Sequence, residues 1–265
     1  MARHARRGIL GSLPVPSRTE GVLLAALLLV TTVVVAFAAV QFGRPAAGAA
    51  DPGVAARFAT PAPTLTPPPP TPEPPPTPVL AFYGDWYVSG TDAGGQGPAG
   101  WPAIVTARLG AVGTAPHAVP DAGYVAVSQA TTDTFATLAE RLPEPDADVT
   151  VVFGGRNDYR ATPSQITDAA RRTFDAIRAA APQTALLVIG PAWPGTPVPR
   201  ELLPVRDAVR QAAADAGATF IDPLEGRWLV DGTGLIAGDR ISPTDAGHAE
   251  LADRIEPFVR ALPAG

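Results

Sequence analysis

From residue 79 to residue 262 the chain alternates short apolar runs with segments whose apolar positions recur every three or four residues. Val79 to Tyr83 is apolar throughout and stops at Gly84-Asp85, which reads as a buried first strand delivering a loop. Trp101 to Leu109 sets Ile104, Val105 and Leu109 on one helical face, and Ala115 to Val119 reads as a short second strand. Thr132 to Leu142 is a helix carrying Phe135, Leu138 and Leu142. Val149 to Phe153 is near-continuously apolar, as a central parallel strand covered on both faces requires. Pro163 to Ala181 shows the clearest helical spacing, with Ile166, Ala169, Phe174 and Ile177 inward. Ala185 to Ile189 gives the fourth strand, Glu201 to Ala216 a helix, Thr219 to Ile221 the fifth strand and Thr244 to Leu262 the last helix. Strand and helix in strict alternation predict an α/β fold, a three-layer α/β/α sandwich around a parallel sheet. Chemistry in such a fold belongs at the carboxyl ends of its strands.

The residues before 79 follow a different pattern. Arg3, Arg6, Arg7 and Arg18 precede an uncharged, mostly aliphatic run from Gly21 to Gly43. As a helix that run would span roughly 33 Å, about the thickness of a bilayer core. The leading arginines favour a cytoplasmic amino terminus, so residues 1–20 are read as a cytoplasmic tail and 21–43 as a single-pass membrane anchor. A signal peptide cleaved near Ala46 to Ala50 is the alternative, and the domain is then secreted. Residues 44–78 form an extracytoplasmic linker whose second half, Pro61 to Pro78, is mostly proline with threonine. It is expected to be a polyproline spacer of roughly 55 Å when extended, or less readily a docking site for a proline-recognition module. Residues 79–265 are the folded domain.

Composition narrows the chemistry. The chain has no cysteine and no lysine, which excludes a disulfide framework, a thiolate nucleophile, Schiff-base catalysis and a Walker-type phosphate loop. A net charge of −5 gives no electrostatic reason to expect nucleic acid. Of three histidines, His4 lies in the tail, His117 in or beside an early strand, and only His248 in a loop at the active edge. A lone histidine without companion ligands implies no metal, and no cofactor is implied.

Four stretches at strand ends carry a resemblance. They are Gly84-Asp85-Trp86 after the first strand, Asp121-Ala-Gly-Tyr124 after the second, Gly155-Arg-Asn-Asp158 after the central strand, and Asp245-Ala-Gly-His248 opening the last helix. Their order and spacing resemble the blocks of the SGNH (GDSL) hydrolases, a family of esterases, lipases and deacetylases with a flavodoxin-like sheet. The resemblance implies Asp245 and His248 as the acid and base. It implies an oxyanion hole from the Asn157 amide and the backbone N–H groups of Gly123 and Trp86, with Gly84, Asp85, Gly155 and Asp158 as block residues. Plain readings stand beside these: Gly123 as a turn glycine, Thr244 as a helix cap with Asp245 favoured by the helix dipole. The similarity continues in Ile189-Gly-Pro-Ala-Trp193, whose tryptophan lines the pocket by position or packs on its own loop.

The first block departs from the family at one place, where Trp86 stands for the nucleophilic serine. An indole has no oxygen to attack with. The serines of the folded domain are Ser128, before the second helix; Ser164, read as a helix N-cap; Ser242, beside the Asp245 turn; and Ser89, the best substitute by its position one turn after Trp86. Ser89 reads more readily as a turn hydroxyl. Two functions follow from the resemblance: an envelope-facing hydrolase of an acyl ester or glycan with a reduced or non-standard mechanism, or a pseudohydrolase that binds such a ligand or a protein without turnover.

Overall fold

The structure, a computed structural model, describes residues 77–263. The tail 1–20, the expected span 21–43 and all but the last two residues of the linker lie outside them. Among the described residues no helix is long and apolar enough to cross a membrane.

Strand β1 (Val79–Gly84) sits at the centre of a parallel sheet, with β4 (Val149–Phe153), β5 (Ala185–Ile189) and β6 (Thr219–Ile221) following in that order on one side. On its other side lie two short pieces, β2 (Val112–Gly113) against its start and β3 (His117–Ala118) against its end. The register puts Leu80 beside Val149 and Val149 beside Ala185. The helices are the four-residue α1 (Trp86–Ser89), then α2 (Trp101–Leu109), α3 (Phe135–Arg141), α4 (Pro163–Ala180), α5 (Leu202–Asp215) and α6 (Asp245–Ala261).

Both faces of the sheet are covered, which is why its central strands carry no polar alternation. Leu80 and Phe82 pack into one layer with Trp101, Val105, Leu251 and Ile255 from α2 and α6. Ala81 and Tyr83 pack into the other with Phe135, Ile166, Phe174 and Val209 from α3, α4 and α5. Each such buried large side chain contributes on the order of 1.5–3 kcal/mol of transfer free energy.

Two expectations need correction. The second strand is not continuous over Ala115 to Val119: Pro116 has no N–H for the ladder, and pairing with β1 resumes only at His117. Ser164 is not a cap. Thr162 caps α4, its hydroxyl accepting from the Gln165 N–H while the Gln165 side chain accepts from the Thr162 N–H, with Pro163 at the first helical position. The same reciprocal box between Thr134 and Thr137 starts α3 three residues after Thr132.

Candidate active site

β1 ends at Gly84 and hands the chain to Asp85, whose extended backbone (φ −109°) stops the strand and caps α1. One carboxylate oxygen of Asp85 accepts from the Tyr87 N–H at 2.9 Å, and the other from the Asn157 amide at 3.1 Å. The group is 2% exposed. Burial pushes its pKa up to about 7, against the lowering effect of the Tyr87 N–H and the nearby Arg156 charge. Trp86 follows in the first turn of α1, where a backbone N–H has no acceptor within the helix.

Behind β4, the turn Gly155-Arg156-Asn157-Asp158 reaches across to the loop 122–126. The Asn157 amide donates also to the Ala122 carbonyl at 2.8 Å, so its two hydrogens are both engaged within the protein. Asp158 accepts from the N–H groups of Tyr124, Val125 and Ala126 at 2.7–2.9 Å. Burial raises its pKa and those three donors oppose the rise. Gly123 lies so close that a Cβ there would enter the Asp158 carboxylate. Its own N–H donates to the Ala126 carbonyl at 2.9 Å. Asn157, Gly123 and Asp85 are thus gathered at one strand end, as the sequence leads one to expect, but their hydrogen-bonding capacity is turned inward.

His248 stands in the first turns of α6, fully buried. The loop after α1 closes over it: Gly95, at φ +79°, leaves no room for a side chain against the imidazole. Nδ1 accepts from the Trp101 N–H at 3.4 Å, and Nε2 has no partner among the described residues. A neutral ring whose Nδ1 accepts carries its proton on Nε2, the reverse of what a base for an attacking hydroxyl requires. Burial lowers its pKa to about 4, the Asp245 charge opposing. Asp245 makes no hydrogen bond to His248; its carboxylate accepts from the Gly95 N–H at 2.8 Å and so fastens the covering loop.

The serines are dispersed. The Ser89 hydroxyl donates to the Gly90 carbonyl at 3.2 Å and lines a separate cavity of about 440 Å³ with Phe82, Pro102 and Thr106. The Ser128 hydroxyl accepts from the Ala130 N–H, and Ser164 lies beside Thr162. Ser242 is buried in the turn before α6, its N–H donating to Asp239. None of them hydrogen-bonds His248.

Arg156 is the residue that sequence reasoning passed over. Its guanidinium lies over the Trp86 ring at 5.2 Å and over the Trp193 ring at 5.5 Å, a cation in contact with two indoles. The only advance sign was its place, a charge between the glycine and asparagine of the turn after a wholly apolar strand. Beside it opens a cleft of about 390 Å³ lined by Arg156, Asn157, Tyr159, Trp193, Glu201 and Leu202 among others. No group of three or more metal-ligating side chains occurs among the described residues.

Comparison with known proteins agrees with this architecture. A GDSL lipase of Mycobacterium tuberculosis is 39% identical over 195 residues, a stretch covering 68% of this chain and 80% of that protein. A member of the lipolytic G-D-S-L family from Veillonella parvula superposes with a TM-score of 0.53 at 15% identity, over 69% of this chain and 99% of its own. A family two carbohydrate esterase from Clostridium thermocellum in complex with cellohexaose gives 0.55 at 16%, over 70% and 65%. These two likenesses are of fold. Residues 82–250 match the sequence model of the GDSL-like Lipase/Acylhydrolase family, the stretch from β1 to the first turns of α6, and with the mycobacterial relative this establishes that the chain belongs to that family.

Proposed function

We propose that the domain is a ligand-binding member of the family that does not turn over esters by the serine route, with Trp86 in the place of the nucleophile. One observation carries this reading: the side chain after Gly84-Asp85 is an indole in cation–π contact with Arg156, where acyl transfer needs a hydroxyl. The surrounding groups fit it. The Asn157 amide is spent on Asp85 and Ala122, and Asp245 serves the loop over His248 rather than the imidazole. The ligand class is a cell-envelope acyl ester or glycan, in keeping with a lipase and a carbohydrate esterase among the relatives. The apolar span 21–43 and the proline-rich linker would display the domain outside the cell membrane.

A second reading, slow hydrolysis by a water activated at His248, requires the ring proton to move from Nε2 to Nδ1 and the loop bearing Gly95 to lift. A serine-directed fluorophosphonate probe tests the main reading. The expected result is no active-site labelling of the full chain. Strong labelling abolished by Ser89→Ala would overturn it and identify Ser89 as the nucleophile. Protease digestion of intact cells tests the display: the domain should be cleaved from outside, and full protection would refute it.

A further inference from the structure

We infer that the cleft beside Arg156 is a receptor for a carboxylate, bound by a guanidinium that lies over two indole rings. The inference rests on the cleft being a binding site, as proposed above, and names what it binds.

Arg156 is half-buried and forms no ion pair among the described residues; the Tyr87 hydroxyl is its polar neighbour within the protein, and its Nη1 has no acceptor. A guanidinium at a cleft wall without an anionic partner favours an acceptor from outside. The protein's own carboxylates are committed elsewhere. Asp85 holds the Tyr87 N–H and Asn157, and Asp239 holds the N–H groups of Ile241 and Ser242. Glu201 lines the same cleft and forms no ion pair with Arg156.

Geometry then selects the anion. Trp86 and Trp193 both turn a ring face to the guanidinium, and the cleft opens beside it. The N–H fork of a guanidinium matches a planar, singly charged carboxylate bidentately. A dianion such as phosphate fits less well, because its second charge would meet Glu201, Asp85 and Asp239. The remaining walls, Trp193, Tyr159 and Leu202, offer apolar and aromatic surface, and about 390 Å³ suits a small acyl or aryl acid or a single uronic acid residue.

Calorimetric titration of the full chain in a non-ionic detergent tests this, with benzoate and glucuronate as the acids, inorganic phosphate as the competing anion and methyl glucuronate ester as the neutral control. At least one acid should bind saturably at one site, several-fold more tightly than phosphate, with no heat from the neutral ester. Arg156→Gln should weaken that acid at least tenfold. Arg156→Lys, which keeps the charge and loses the fork, should weaken it several-fold, and this variant decides the matter if the glutamine protein does not fold. Failure of both acids, equal binding to wild type and variants, equal binding of the neutral ester, or tighter binding of phosphate would each overturn the inference. The two proposals separate cleanly. Ester turnover with Arg156-dependent acid binding would refute the non-hydrolytic reading and leave the carboxylate site standing; no turnover and no acid binding would remove the site alone.

Discussion

Asp85→Asn should flatten the pH dependence of stability between pH 5 and pH 8. A carboxyl whose folded pKa lies above its unfolded value costs nothing below the unfolded pKa, where both states are protonated. The cost grows as pH rises and becomes constant once the folded pKa is passed. For Asp85 that window runs from 3.8 to about 7. At about 1.4 kcal/mol per pH unit, with partial ionisation at both limits, the wild type should lose about 2–3 kcal/mol relative to the variant between pH 5 and pH 8. Asparagine keeps the volume and one acceptor but cannot accept at both of its termini from Tyr87 and Asn157, so the variant should also carry a fixed offset of about 1 kcal/mol that does not vary with pH. The slope, not the level, is therefore diagnostic. Urea unfolding of both proteins at half-unit pH steps measures it. Parallel curves would refute the claim that this carboxyl is held dry beneath α1.

Three further outcomes are expected. Trp86→Ser should remain inert towards a short-chain aryl ester, because His248 has its proton on the wrong nitrogen and Asn157 is spent on Asp85; appreciable hydrolysis would show that these groups rearrange once the indole is gone. Gly95→Ala should lower the thermal midpoint by several degrees, since the added methyl enters the imidazole of His248 at a backbone angle that disfavours alanine, and an unchanged midpoint would mean the loop lifts freely. Asp158→Ala should cost about 3–5 kcal/mol in denaturant unfolding by stranding one buried and two half-buried N–H donors, and a loss under 1 kcal/mol would show water taking their place.

The periodicity of the chain gave away most of the fold because the sheet is covered on both faces. Val149–Phe153, Ala185–Ile189 and Thr219–Ile221 fall where their apolar runs place them, and α2 spans the residues its pattern marks. Departures arose where a local bond outranks pattern: Pro116 divides the edge strand, and the Thr134 and Thr162 boxes fix helix starts that apolar spacing leaves loose. At the site, the blocks located Asp85, Asn157, Gly123 and Asp158 at one strand end. They gave no view of where each hydrogen bond goes, since a motif fixes residue types and not the acceptor a given N–H finds. The inward turn of Asn157, the coverage of His248 by Gly95 and the capture of Arg156 by two loops distant in sequence are tertiary facts of that kind.

The placement of the four tryptophans makes the molecule its own spectroscopic reporter. Trp101 and Trp228 are 0% and 4% exposed, whereas Trp86 and Trp193 are partly open beside a guanidinium. All four lie within the domain, so nothing in the preceding segments contributes indole emission. An ionic quencher such as iodide should reach only the second pair, and the electropositive neighbour should draw it there. One emission spectrum thus divides into a shielded component that follows unfolding and an accessible component that follows occupancy of the cleft.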